Sequence, residues 1–253
     1  MTDLTAGAEM IEKLRETMPI GLAGLTVCEA GTGLVIVDEV NGFASVGCGN
    51  LAPPAENPQV SRMIEETNRL ARQFQAQGWP ILAFLDTHEP GKPEPPYPPH
   101  CEKGTGEEAL VPELKWLEAE QAATLVRKDC INGFVGAIRP DGGNSVVDWV
   151  NGNGLNRLLV VGICTDICVM DFVLTTLSAR NHDMMPTLKD ISVYAAGCST
   201  YDLPRDVARG LGLPETAAHP QDVTHYLGLY FMASRGAELV DSVEVASRQV
   251  AAQ

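Results

Sequence analysis

The chain has 253 residues, 45% of them hydrophobic and 20% charged, enough to bury a full core as one large α/β domain or two small ones. A formal net charge of −15 argues against nucleic acid or an anionic membrane as partner, since like charges oppose both. No apolar run reaches the length of a membrane span, and the opening MTDLTAGAEMIEKLRETMP lacks a secretory signal core. The seven cysteines are scattered and odd in number, which suits free thiols in a reducing compartment and predicts a cytoplasmic protein.

In chain order, residues 1–30 read as a helical or irregular extension. A first apolar run, Leu34 to Val37, ends in Asp38, and a Pro/Asn/Gly-rich stretch follows from Asn41 to Pro58. An amphipathic helix is predicted from Ser61 to Gln77, stopped by Gly78 and Pro80. A second run, Ile81 to Leu85, ends in Asp86. Prolines then rule out regular structure from Glu89 to Pro99 and predict a rigid extended loop. Further runs are Thr124 to Val126, ending in Arg127 and Lys128, and Leu158 to Ile163, which passes through Gly162 into a long helix opening near Thr165. That helix shows Ile167, Met170, Asp171, Leu174, Leu177 and Ser178 on one face, read as its core stripe. A fifth strand is expected at Ile191 to Ala195 and a last helix near Pro220 to Arg235. Without internal repeats or a low-complexity linker, residues 1–253 read as a single domain. Its fold class is α/β, a mostly parallel sheet with helices on both faces.

In such sheets ligands bind beyond the carboxyl ends of the strands. Four runs bring Asp38, Asp86, Lys128 and Cys168 to that edge. Cys168 is the candidate nucleophile. It sits in the first turn of its helix, where free amides and the helix dipole favour a thiolate and can hold an oxyanion. Asp38 is the candidate base, raised in pKa by burial and held by Lys128. The blander readings are a packing cysteine and a structural ion pair. Asp86 and His88 alternate to one side of an extended segment, and the proline loop returns His100 toward them. One carboxylate and two imidazoles with open positions suit Zn²⁺, Fe²⁺ or Mn²⁺. Asp166 reads as a helix-start residue and His182 as the end of the cysteine helix. His219 and His225 lie far from every motif in the chain and read as surface or core-edge residues.

The segments LVIVDEVNGF, LDTH, PPHCEKGTGE, VRKD and VVGICTDICVMD together resemble the nicotinamidases of the isochorismatase-like superfamily, the plant-type branch in particular. The likeness covers roughly residues 34 to 182. It implies a Rossmann-like isochorismatase-type fold, a catalytic triad of Asp38, Lys128 and Cys168, and an oxyanion hole from the amides of Cys164 and Cys168. It also implies a cis peptide at Ile163–Cys164, and Phe43 and Tyr97 as aromatic residues sandwiching the substrate ring. Asp86, His88 and His100 become ligands of one divalent ion, zinc foremost with iron or manganese as alternatives, and the fourth ligand is Glu94 or water. The activity implied is hydrolysis of nicotinamide to nicotinate and ammonia by a homo-oligomer. The readings set against it are a metal-free amidase acting on another heteroaromatic or ureido amide, and a catalytically silent binding module of the same fold.

Overall fold

A computed structural model describes residues 4–28, 31–92 and 94–246. Seven strands form one sheet: β1 (Ala23–Val27), β2 (Thr32–Val37), β3 (Ile81–Asp86), β4 (Ala123–Lys128), β5 (Arg157–Ile163), β6 (Asp190–Ser199) and β7 (Glu238–Val245). Their order is β1-β7-β6-β5-β2-β3-β4, and every pairing is parallel. The five runs expected from sequence are β2 to β6. The two missed strands pair with each other at one edge, where β1 is mostly exposed and β7 carries four polar residues. Half-wet strands lack a continuous apolar run, so periodicity does not mark them. The opening thirty residues thus supply more than an extension: α1 (Leu4–Thr17) and then an edge strand of the sheet.

Alternation along the strands divides the core. Val35, Val37, Leu82, Phe84, Leu158 and Val160 face one side, and Leu34, Ile36, Ile81, Ala83, Leu159 and Val161 the other. The stretch after β2 holds one helical turn, α2 (Asn41–Ala44), where only loop was expected. The second side is covered by α3 (Pro58–Gln77) through Met63, Leu70 and Phe74. This helix opens three residues earlier than predicted, because Asn57 accepts hydrogen bonds from the N–H groups of Gln59 and Val60 and Pro58 suits the first helical position. It stops at Gly78, whose φ of 66° is left-handed.

The first side is covered by α4 (Gly133–Gly136), α5 (Ser145–Gly152), α6 (Met170–Asn181) and α8 (Gln221–Ala233), with α7 (Arg205–Gly210) on the surface between the last two. The core face of α6 differs from the predicted stripe. Phe172, Val173, Thr176 and Leu177 are buried, while Ile167, Met170 and Leu174 only border the core and Ser178 is exposed. The prediction ran one helical register from residue 167, but Thr165–Val169 is a π-helical turn, which rotates everything after it. Complete burial of Phe172 contributes about 2 kcal/mol. Among the described residues no helix is long and apolar enough to cross a membrane.

Sheet topology also sets where a ligand can enter. From β2 the chain proceeds outward through β3 and β4, and then returns to lay β5, β6 and β7 on the opposite flank. The crevice between β2 and β5 is therefore the topological switch point. There Gly162 has φ 129°, and a Cβ at this position would lie 2.1 Å from the carbonyl oxygen of Val37.

Glu39 follows Asp38 into the interior and is fully buried. Its Oε1 accepts from the Thr67 hydroxyl at 2.6 Å, and Oε2 has no partner among the described residues. Burial pushes its pKa well above the carboxylate range, so folding takes up a proton that the unfolded chain releases above its own pKa. The native state is then favoured at low pH and loses that advantage as pH rises from about 4.3 toward the folded pKa. Glu39→Gln keeps the Thr67 contact without the proton. Its unfolding free energy should match wild type near pH 4 and exceed it by a growing margin as pH rises, about 1.4 kcal/mol per unit. Chemical denaturation at a series of pH values measures this; a margin that does not change with pH would mean that Glu39 is ionised in the fold.

Candidate active site

Four adjacent strands, β5, β2, β3 and β4, deliver one group each to the carboxyl edge of the sheet. Asp38 stands just past β2, Asp86 and Lys128 end β3 and β4 in register with each other, and Cys168 lies in the turn after β5. Lys128 is 2% exposed and lies between two carboxylates: its Nζ is 2.8 Å from Asp38 Oδ2 and 2.8 Å from Asp86 Oδ1. Burial alone would strip its proton, yet the carboxylates of Asp38 and Asp86 outweigh burial and hold the pKa well above that of a free lysine.

The two carboxylates respond in opposite directions. Burial dominates at Asp38 and pushes it up to about 6 against the pull of Lys128. At Asp86 burial is outweighed by Lys128, His100 and His88, which keep the carboxyl well below the usual range. Asp38 also has a left-handed backbone, φ 54°, uncommon for a residue other than glycine. The expected base and its lysine are therefore in contact, and the base is the more easily protonated of the two acids.

Cys168 is buried at the floor of the same cavity. The chain reaches it through the Ile163–Cys164 peptide, which is cis as expected. The Cys164 carbonyl accepts from the N–H groups of Ile167 and Val169, at 3.0 and 3.1 Å, so the π-helical turn steps over the amide of Cys168. The thiol departs from the expected helix-stabilised thiolate. Burial pushes its pKa well above that of a free thiol, and although Lys128 draws it down, Asp38 and Cys164 push it up. At rest it is a neutral thiol, and a base must take its proton before it can attack.

The proline loop brings the second cluster together. His88 N–H donates to the Cys101 carbonyl at 3.0 Å and Lys103 N–H to the His88 carbonyl at 2.9 Å, which fastens the two ends of the loop. Asp86, His88 and His100 each offer a donor atom within 4.8 Å of the others. Asp86 Oδ2 lies 3.0 Å from His88 Nε2 and 3.2 Å from His100 Nε2. Glu94 Oε2 lies 3.6 Å from each of those two nitrogens, while its Oε1 accepts from the Ile131 N–H at 2.8 Å. His100 Nδ1 donates to the Pro98 carbonyl at 2.8 Å, which leaves Nε2 to face the cluster. Burial opposes the imidazolium of His100, but hydrogen bonds to Asp86 and Glu94 overcome it and raise its pKa to about 10. Asp86, His88 and His100 are thus buried oxygen and nitrogen donors brought to one point. That donor set fits a divalent ion.

Between the two clusters is a cavity lined by Phe43, Tyr97, Tyr201, Ile131, Ile163 and Ile167 as well as Asp86, Glu94, His100, Cys164 and Cys168. Phe43 and Tyr97 flank His100, with ring centroids 5.5 and 6.1 Å away. Every residue singled out from sequence as catalytic, metal-binding or substrate-binding therefore borders this cavity or contacts a residue that does.

The remaining histidines divide. His182 caps α6, as predicted. His219 and His225, read as remote, instead bear on the nucleophile turn: His219 Nε2 is 2.8 Å from Asp166 Oδ2 and His225 Nδ1 is 2.7 Å from Thr165 Oγ1. Distance along the chain hid them, because the chain crosses the sheet edge again through Thr200 and Tyr201 before reaching α8. Tyr201 was missed for the same reason. Its signal was available, since β6 is also a strand whose carboxyl end meets that edge.

The parallel α/β fold and this edge define an enzyme-like centre with a cysteine, a buried Asp–Lys pair and a donor cluster suited to a divalent ion. Residues 32–205 match the isochorismatase domain model, and the chain belongs to that family. Nicotinamidase 1 of Arabidopsis thaliana is 54% identical over 215 residues, 85% of this chain and 87% of that protein. Among solved structures, the pyrazinamidase/nicotinamidase of Streptococcus mutans is 17% identical, with TM-score 0.59 over 82% of this chain and 99% of that one. The pyrazinamidase of Pyrococcus horikoshii in complex with zinc is 20% identical, with TM-score 0.56 over 83% and 99%. At these identities the structural likeness speaks for the fold.

Replacing Lys128 with methionine keeps the volume but leaves two buried carboxylates facing one another. Unfolding free energy should fall by about 3–5 kcal/mol, read by denaturant titration. A loss of about 1 kcal/mol or less, the size of a surface pair, would show that the ammonium does not hold this edge together.

Proposed function

We propose that this protein is a nicotinamidase, hydrolysing nicotinamide to nicotinate and ammonia through a thioester on Cys168. The observation that carries the reading is the convergence of Cys168, the Asp38–Lys128 pair and the Asp86–His88–His100 cluster on one aromatic-lined cavity. The Arabidopsis relative, named a nicotinamidase and alike over most of both chains, supports it.

The neutral thiol of Cys168 gives its proton to the Asp38 carboxylate, and the sulfur attacks the carboxamide carbon. The oxyanion that forms is held by the amides of Cys164 and Cys168, residues that line the cavity at the turn after β5. Asp38 returns the proton to the departing nitrogen and ammonia leaves. A water molecule, deprotonated by Asp38, then attacks the thioester carbon. The sulfur departs, recovers its proton from Asp38, and nicotinate is released. Lys128 keeps Asp38 ionised enough to act and poised high enough to return the proton. Phe43 and Tyr97 enclose the ring from positions beside His100.

Asp86, His88 and His100 would hold one divalent ion, with Glu94 as the fourth ligand, its carboxylate already fixed by Ile131. We favour zinc, given this N/O donor set and four-coordination. When bound, the ion supplies a Lewis-acid contact for the pyridine nitrogen.

Cys168→Ala should abolish ammonia release from nicotinamide while thermal stability and metal content stay at wild-type values. A variant retaining about a tenth of wild-type kcat, a loss of only about 1.4 kcal/mol, would exclude Cys168 as nucleophile.

Purified wild type should carry about one divalent ion per chain by elemental analysis, and His88→Ala much less. Chelation should suppress nicotinamide turnover, and added zinc should restore it. Full turnover by metal-free protein would favour an amidase that does not need the cluster.

A further inference from the structure

Beyond the groups assigned above, a cluster of polar side chains lies behind one wall of the cavity. That wall is Tyr201, which lines the cavity and is half-buried. Its ring stacks on His219, with centroids 3.8 Å apart and planes 13° apart. His219 Nδ1 is 2.9 Å from the Tyr201 carbonyl oxygen and Nε2 is 2.8 Å from Asp166 Oδ2. Both ring nitrogens thus face acceptors, and an imidazolium satisfies both. Asp166 Oδ1 accepts from the Thr200 hydroxyl at 2.7 Å. The backbones of Leu203 and His219 exchange two hydrogen bonds, of 2.8 and 2.7 Å, which close the loop carrying α7. Asp166 in turn belongs to the π-helical turn that bears Cys168, and Gly228 of α8 lets that helix approach it, since a Cβ there would be 2.8 Å from Asp166 Cα.

The cluster has a direction. A residue on the nucleophile turn fixes an imidazolium, and the imidazolium fixes the face of an aromatic ring whose edge borders the cavity. Among the described residues no hydrogen bond holds the Tyr201 hydroxyl, so the ring is placed by stacking and by its own backbone. An imidazolium against a phenol face is also a favourable electrostatic contact. Core packing alone calls for neither the charge nor the parallel stacking. A half-exposed aromatic ring held rigid at a cavity wall suits recognition of a flat ring, because little side-chain freedom is lost when the ligand binds.

We propose that Tyr201 is a third aromatic contact for the substrate ring, beside Phe43 and Tyr97, and that His219 and Asp166 are the positioning residues that hold its ring at the cavity wall. The inference rests on the nicotinamidase reading and adds a residue that selects a planar aromatic amide.

Steady-state kinetics of the metal-loaded enzyme with nicotinamide test it. Tyr201→Ala should raise KM about tenfold with kcat changed less than about threefold, and Tyr201→Phe should restore KM to within about twofold of wild type. His219→Ala should raise KM by about threefold, and the Tyr201→Ala/His219→Ala double variant should be no worse than Tyr201→Ala alone. Should Tyr201→Ala fail to fold, Tyr201→Leu keeps the bulk without the π face and should raise KM similarly. A KM within about twofold of wild type for the alanine or leucine variant, or effects of the two substitutions that multiply, would overturn the proposal. Absence of nicotinamide turnover in the wild type would instead overturn the nicotinamidase reading, and this inference with it.

Discussion

The buried ammonium of Lys128 is the interaction on which the rest of the site depends. A lone charge in the interior is tolerated only when paired, and here one cation is shared by two carboxylates from two neighbouring strands. The sharing sets unequal properties. Asp86, which also meets two imidazoles, is held low in pKa, while Asp38 is fully buried and keeps a higher proton affinity. One lysine therefore links a half of the site suited to moving a proton with a half suited to binding a cation. Neither carboxylate would be stable where it lies without it.

Around this pair the fold supplies positions more than chemistry. Placing β5 and β2 side by side at the switch point opens a crevice at their carboxyl ends, and the turn after β5 lowers the thiol into it. The proline loop lies over the other flank, fastened by backbone bonds between His88 and Cys101. What remains open is a cavity with apolar and aromatic walls and a polar floor. Excluding water from such a floor strengthens each charge interaction within it, and it also explains why the thiol rests protonated.

Much of this was legible in the chain. Four apolar runs of β2 to β5 and the group just beyond each are local features, and a parallel sheet has only one edge to which such groups can be carried. The Asp-x-His of Asp86 and His88 is legible for the same reason, since alternation along an extended segment puts both on one side. Edge strand β1 and its neighbour β7 were not legible, because much of each faces solvent and no continuous apolar run marks them. The buried face of α6 was misassigned because a π-helical turn shifts the register by an amount that 3.6-residue periodicity does not contain.

The sequence by itself determined the residue types, the strand-end positions of Asp38, Asp86 and Lys128, and the family motifs, because each depends on neighbours a few residues away. Only the tertiary structure decided the state of the thiol, since the helix dipole is a local effect while the surrounding charges include groups at the ends of three other strands, β2, β3 and β4. It also decided the role of His219 and His225, which reach Asp166 and Thr165 across 53 and 60 residues of chain respectively. Contacts made across such separations are set by how layers stack. No window of sequence contains that stacking, so the wall behind Tyr201 exists only once the chain has closed on itself.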